Sequence, residues 1–299
     1  DPDDAISLET IQVDAAGNLL GGKLWVHVAD AAALLPPDSP ADLEARARGA
    51  TLYLPEGPVT MLPEGAVSAL GLGLQEVSPA LSFGLTLDAL GEITFTEIQP
   101  SWVRVKRLSY EQADEQLVSN PDLQALQRLA RAYLKRREAN SALSIDLPEA
   151  IIRVVGGQVH IRPVLRLGSR QVVQEAMLMA GEAAAHFAMQ NNFPFPYAIQ
   201  DAPDAPLPIL AEDALAGNFA IRRQLKRGGV SSHPGLHAGL GLFAYSRATS
   251  PLRRYLDLAA HQQLRAFLRG ETPLSEQAML ERLGAAEAAV GSVNQAESL

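Results

Sequence analysis

The first four residues, Asp1-Pro2-Asp3-Asp4, place three carboxylates in one short segment. Such charges repel one another unless water or a cation neutralises them, and a hard cation such as Mg²⁺ prefers oxygen ligands. In an extended chain Asp1 and Asp3 share a face while Asp4 points away, so the segment must kink for all three to converge, which Pro2 allows. An acidic surface turn explains the same tetrapeptide, and the segment alone leaves both interpretations open.

A second segment that could do chemistry is 247–255, which reads RATSPLRRY. A hydroxyl residue followed by proline is typical of a helix start, so we predict a helix from Pro251 with Arg253 and Arg254 in its first turn. Free backbone N–H groups and two guanidinium groups would then form a phosphate site. The alternative is that Asp257 neutralises Arg253 through an i,i+4 ion pair.

The distribution of charge is uneven. The net charge is −9, yet residues 220–270 contain nine basic residues and one acidic residue. A concentrated basic segment is typical of a protein that binds phosphate groups, although a solvated helix face gives the same pattern.

Composition excludes several classes of site. Cysteine is absent, which excludes disulfides and thiolate metal sites and fits a cytoplasmic protein. His233 and His237 have the spacing of a helical zinc site, but Pro234-Gly235 between them breaks that helix. No apolar run approaches the roughly 20 residues that span a membrane, so no membrane association is expected.

The pattern of apolar residues predicts the elements that must position these groups. Period-two alternation predicts strands over 5–30 and 81–106 and a hairpin over 151–161. Helical periodicity predicts helices over 121–138, 171–190, 211–227, 251–269 and from 275 to the end. Strands come mainly first and helices later, which indicates an α+β domain or a helix-wrapped barrel.

Together these segments resemble the ribonuclease II family over nearly the whole chain. The resemblance is carried by HAGLGL at 237–242, YSRATSPLRRYLD at 245–257, His261 and DPDDA at 1–5. Shorter similar segments are YLP at 53–55, MLP at 61–63 and EAML at 175–178. The resemblance implies one catalytic domain over 1–299, truncated at both ends, with a mixed β-sheet or barrel core wrapped by helices around a narrow RNA channel.

The resemblance also implies roles for individual residues. A catalytic set would hold Mg²⁺, or Mn²⁺ in its place, and the scissile phosphate: Asp1, Asp3, Asp4 and Arg253. An RNA-binding set comprises Tyr53, Tyr110, Glu175, Arg254 and Glu297. In that set Tyr53 contacts the strand in the channel, while Tyr110 and Glu175 recognise ribose near the 3′ end.

The implied activity is 3′-to-5′ hydrolysis of single-stranded RNA to 5′-mononucleotides, without an obligate protein partner. Two alternatives are an RNA-binding pseudoenzyme and a metal phosphodiesterase that acts on DNA or a small nucleotide. The chain departs from the family twice. A further family aspartate falls six residues before Asp1, and the aliphatic stretch 143–145 stands where some relatives have a clamping aromatic residue.

Overall fold

A four-stranded antiparallel sheet is the centre of the protein, whose computed structural model describes residues 2–145, 147–205 and 215–297. The strands are β1 (Asp4–Val13), β2 (Leu19–Ala29), β3 (Leu52–Leu54), β4 (Gly57–Val59), β5 (Ser78–Asp88), β6 (Ile93–Val103), β7 (Ala150–Val155), β8 (Gln158–Pro163), β9 (Tyr197–Ile199) and β10 (Gly229–Ser231). The sheet has the order β1-β2-β5-β6, and the other strands form two-stranded pairs. Strands β1 and β6 are edges, so the described strands close no barrel.

Eight helices are described, and several of them pack against this sheet. They are α1 (Pro40–Arg48), α2 (Glu64–Leu70), α3 (Tyr110–Gln116), α4 (Pro121–Ala139), α5 (Gly168–Gln190), α6 (Leu215–Gln224), α7 (Tyr255–Leu268) and α8 (Glu276–Glu297). The α+β class expected from the sequence is therefore confirmed, whereas the barrel alternative finds no support among the described residues. None of the described helices is long and apolar enough to cross a membrane.

The register of the sheet explains which face is buried. Val26 on β2 pairs with Phe83 on β5, and both side chains are fully buried. Because side chains alternate along a strand, neighbours such as Lys23 and Trp25 face the other way and form a polar surface. Helix α5 packs its alanines against the buried face, where small side chains allow close approach.

The predicted hairpins and long helices are confirmed, with two differences in the second half of the chain. The described part of helix α6 runs from Leu215 to Gln224, which is three residues short of the predicted end, and 211–214 lie outside the described residues. Gly229 then starts β10, which pairs with β9, and neither of these short strands was predicted. The second difference is the start of α7, which shapes the candidate site.

Candidate active site

The beginning of β1 carries two of the predicted carboxylates. Asp3 is 1% exposed and lies just before the strand, and Asp4 is its first residue. The Asp3 carboxylate accepts hydrogen bonds from the Leu252 backbone N–H (3.1 Å) and from Nε of Arg253 (3.0 Å). The start of β1 and the Arg253 loop thus meet, although about 250 residues separate them. Asp1 lies outside the described residues.

Burial changes the proton affinity of both carboxylates. It raises the pKa of Asp3 to about 6, against the opposing charge of Arg253. It also raises the pKa of Asp4, which Arg253 and Arg254 oppose. Two adjacent carboxylates, one buried and one half-buried, are costly unless a positive charge neutralises them. They therefore fit a bound cation.

The helix predicted from Pro251 begins instead at Tyr255, so the prediction for its first turn was wrong. Residue 254 is extended and occupies the N-cap position without a side-chain capping bond. The Arg253 carbonyl accepts from the Thr51 N–H (2.9 Å), and the Tyr255 N–H donates to Gly49 (2.9 Å). Because these bonds hold the backbone extended, tertiary pairing overrides the local preference for a helix.

Asp257 pairs with Arg254, not with Arg253 as the ion-pair alternative supposed. Its oxygens accept from Arg254 at 3.0 and 2.7 Å and from the Ser250 N–H at 2.9 Å. Burial alone would raise the pKa of Asp257, but Arg254 and this N–H hold it below its ordinary value. Buried His261 adds a 2.7 Å hydrogen bond to the Ala248 carbonyl. Asp257 and His261 thus fix the loop that presents Arg253.

Four predicted RNA-binding or catalytic residues line one cavity of about 230 Å³, namely Tyr53, Arg253, Arg254 and Glu297. We call it the Tyr53 cavity. The Tyr53 N–H donates to the Glu297 carboxylate (2.8 Å), which joins β3 to the end of α8. The Tyr53 ring itself is 51% exposed and available to a ligand. The cavity therefore joins an exposed aromatic ring to the two arginines.

Tyr110 does not line the Tyr53 cavity but lines a different cavity together with Asp4. It is the first residue of α3, and its carbonyl accepts a 2.7 Å hydrogen bond from Ser169 on α5. Its ring lies 4.2 Å from the Arg170 guanidinium, a cation–π distance. Burial and the charge of Asp4 raise the pKa of Tyr110, so the phenol remains a hydrogen-bond donor at neutral pH.

Glu175 is 1% exposed and is therefore not the helix-surface glutamate that α5 alone would suggest. Its two oxygens accept from the Arg137 terminal nitrogen, each at 2.7 Å, and a further 3.0 Å bond comes from Nε. Glu175 and Arg170 line a cavity of about 840 Å³, here called the Glu175 cavity, which also includes Leu143 and Ile145 from the predicted clamp position. Arg137 lines the same cavity, so a ligand that contacts Glu175 there also meets Arg137.

Sequence reasoning missed both arginines. Arg137 belongs to the basic end of α4, and an isolated helix gives no sign that this cation turns inward. Arg170 precedes Glu175 on α5, and its Nε is buried without a hydrogen-bond partner among the described residues. The available signal was a glutamate, Glu175, in the otherwise apolar α5, because a buried carboxylate requires a cation.

Removing Arg137 should strongly destabilise the protein. We expect Arg137→Met to lower the free energy of unfolding by about 3–5 kcal/mol, since it leaves the Glu175 charge buried and unpaired. Urea unfolding measures this loss. Arg104→Met is the matched control: its pair with Glu76 is 3.5 Å long and at least 75% exposed on both sides, so it should cost under about 1 kcal/mol. A similar cost for both variants would contradict a stabilising role for the buried pair.

The described residues contain no cluster of three or more metal-binding side chains. His233 lies beside Glu276 at 3.4 Å and is largely exposed, so the two histidines of the rejected zinc pattern are not joined in such a cluster. Asp3 and Asp4 supply two oxygen-donating side chains at one place. Oxygen donors of this kind select Mg²⁺ or Mn²⁺ over softer metals.

Comparison with known proteins identifies the family of the chain. The family model described as the RNB domain matches residues 1–270, and the chain therefore belongs to the RNB domain family. An uncharacterized ribonuclease of Synechocystis is 41% identical over 283 residues, which cover 90% of this chain and 41% of that protein. The ribonuclease II resemblance of the motifs is thus confirmed.

Solved structures share the fold at lower identity. RNase R of Mycoplasma genitalium, in complex with ribose methylated single-stranded RNA, superposes with a TM-score of 0.84 at 20% identity over 99% of this chain and 54% of its own. Yeast Ssd1, a pseudonuclease, superposes with a TM-score of 0.75 at 19% identity over 99% of this chain and 43% of its own. The chain thus spans about half the length of these proteins or less.

Proposed function

We propose that this chain is the catalytic domain of a 3′-to-5′ exoribonuclease that hydrolyses single-stranded RNA to 5′-mononucleotides. The observation that carries the proposal is the meeting of buried Asp3 and half-buried Asp4 with Arg253 beside the Tyr53 cavity. Buried carboxylates next to a cation that faces a cavity can bind a phosphodiester and the ion that activates water.

In the proposed reaction water attacks the terminal phosphorus and the bond to the 3′ oxygen of the preceding nucleotide breaks. That oxygen leaves with a proton, and the phosphate stays on the released nucleotide. Arg253 stabilises the charge that develops on the phosphoryl oxygens. Asp3 and Asp4 would hold Mg²⁺, with Asp1 as a third proposed ligand. The bound ion would lower the pKa of the attacking water.

The chain offers a route by which RNA could reach these groups. Tyr53 presents an exposed ring on which a base can stack, and Arg254 and Glu297 border the same cavity. Tyr110 and Glu175 are proposed to recognise the terminal ribose, since both can hydrogen-bond a hydroxyl. The Arg137 pair keeps the Glu175 carboxylate in one orientation.

The pseudoenzyme alternative draws on the shared fold of yeast Ssd1. That fold does not decide activity, because function depends on the site and not on the architecture. Asp3, Asp4 and Arg253 are all present here and brought together, which favours catalysis.

Metal binding should stabilise the protein in a pH-dependent way. Because the pKa of Asp3 rises from 3.8 to about 6 on folding, the metal-free protein loses stability as the pH rises through this window. Mg²⁺ needs the ionised carboxylates, so it should raise the Tm more at about pH 7.5 than at about pH 5. Thermal unfolding with and without Mg²⁺ tests this. A shift that is equal at both pH values, or unchanged in Asp4→Asn, contradicts the proposed metal site.

Substrate choice tests the activity itself. A single-stranded RNA should be shortened stepwise from its 3′ end, while the matching DNA binds but is cut poorly. Phosphate contacts serve both polymers, whereas the 2′-hydroxyl distinguishes them. Labelled RNA, DNA and RNA with one 2′-deoxy residue near the 3′ end are compared on denaturing gels. The double variant Tyr110→Phe with Glu175→Gln should reduce the difference between the cleavage rates on RNA and on DNA. Equal rates on RNA and DNA in the wild type would overturn this account of sugar selection.

A further inference from the structure

A third cavity reaches Asp4, and Tyr110, proposed above to recognise the terminal ribose, also lines it. It has a volume of about 480 Å³, and we call it the Lys106 cavity. Asp4 and Tyr110 line it, as do Lys106 and Arg107 from the segment after β6. The volume lies within the roughly 300–1,000 Å³ typical of small-molecule sites.

The Lys106 and Tyr53 cavities converge at the proposed catalytic residues. Asp4 lines the first and Arg253 lines the second, and the charge of Arg253 acts on both Asp4 and Tyr110. A molecule formed between Asp4 and Arg253 therefore has the Lys106 cavity next to it, while the Tyr53 cavity would still hold the remaining strand.

The lining of the Lys106 cavity combines apolar and basic side chains. The apolar part includes buried Val172 and half-buried Leu117 and Leu123. Lys106 and Arg107 line the same cavity and are exposed, and neither has a carboxylate within 4 Å among the described residues. The stem of Arg107 packs over Gly73, where an added Cβ would lie 3.0 Å from its Cγ. Arg107 is therefore directed by a close backbone contact, not free to spread over the surface.

This combination suits a small ligand with an aromatic ring and one strongly negative end. A nucleoside 5′-monophosphate has a planar base whose faces can pack on apolar side chains, and a phosphate whose charge is close to −2 at neutral pH. Its ring would contact the apolar wall, and its phosphate would meet two cations that lack carboxylate partners.

We propose that the Lys106 cavity binds the nucleoside 5′-monophosphate released by hydrolysis, with its phosphate at Lys106 and Arg107. The identity of the ligand as the product rests on the proposed function. The product would then leave through a cavity other than the Tyr53 cavity, so the strand held in the Tyr53 cavity need not dissociate between cleavage steps.

Titration of the wild-type protein with uridine 5′-monophosphate in EDTA tests the site without a metal to hold the phosphate. We expect Lys106→Gln with Arg107→Gln to weaken binding roughly tenfold, as the loss of two exposed charge contacts would do. Uridine should bind more weakly than its monophosphate, and its Kd should change little in the Lys106/Arg107 variant. Arg128→Gln with Arg131→Gln is the control: it removes the same charge from exposed positions of α4 outside the cavity and should leave the Kd unchanged.

A second variant tests the apolar wall. Ala113→Phe, on α3 within the cavity, should weaken binding of uridine and of its monophosphate alike. Equal affinity of the wild type and the Lys106/Arg107 variant for the monophosphate would overturn the site, whether or not Ala113→Phe folds.

Stepwise shortening of RNA is followed in parallel. We expect added monophosphate to slow it in the wild type and less in the Lys106/Arg107 variant. If RNA is shortened but binding of the monophosphate does not depend on Lys106 and Arg107, only this inference fails. If binding depends on them but no RNA is shortened, the proposed function fails and the ligand is not a product.

Discussion

Asp4→Asn is expected to abolish hydrolysis of RNA while RNA binding survives. A neutral amide is a poor ligand for a hard cation, and even partners of metal ligands typically cost 10–100-fold when lost, so we expect a decrease of at least about 100-fold. The Arg253 and Arg254 contacts remain available to phosphate. Cleavage of a labelled oligoribonucleotide gives the rate, and a binding titration gives the affinity.

The control for this experiment is Asp201→Asn, which removes one carboxylate from an exposed loop. It should leave both the rate and the affinity near the wild-type values. Substantial cleavage by Asp4→Asn would count against a metal role for Asp4, and a parallel loss of RNA binding would indicate a structural defect instead.

Arg253→Ala is expected to lower turnover far more than it weakens binding. The loss of one contact to charge that develops in the transition state typically costs on the order of 100-fold or more in kcat. We expect the Kd for RNA to change less, because other cations also contact phosphate. Single-turnover kinetics separate the two quantities, and Arg253→Lys, which keeps the charge but not the planar guanidinium group, should recover only part of the rate.

Arg222→Ala on α6 is the comparison for Arg253→Ala. If α6 faces RNA, this exposed arginine should affect affinity and its dependence on salt, and leave kcat unchanged. The catalytic assignment of Arg253 is wrong if Arg253→Ala behaves in the same way. Because Arg253 also neutralises Asp3, the stability of the variant must be measured alongside its kinetics.

Much of the fold follows from short-range patterns in the sequence. Alternation over β1, β2, β5 and β6 and the helical period of α4 and α5 predicted these elements near their observed bounds. These patterns are reliable because each element buries one face, which fixes the period of its apolar residues. The DPDDA and RATSPLRRY segments likewise indicated the family, since contiguous motifs can be read without a structure.

The pairing of charges could be decided only by the tertiary structure. The sequence alone determined that acidic and basic segments of this family are present, but it suggested Asp257 as the partner of Arg253. In the fold Asp257 binds Arg254 and Asp3 binds Arg253, because pairing with 49–51 keeps residue 254 extended. The Arg137–Glu175 and Tyr53–Glu297 contacts join residues 38 and 244 positions apart, and local propensity carries no information about such distant partners.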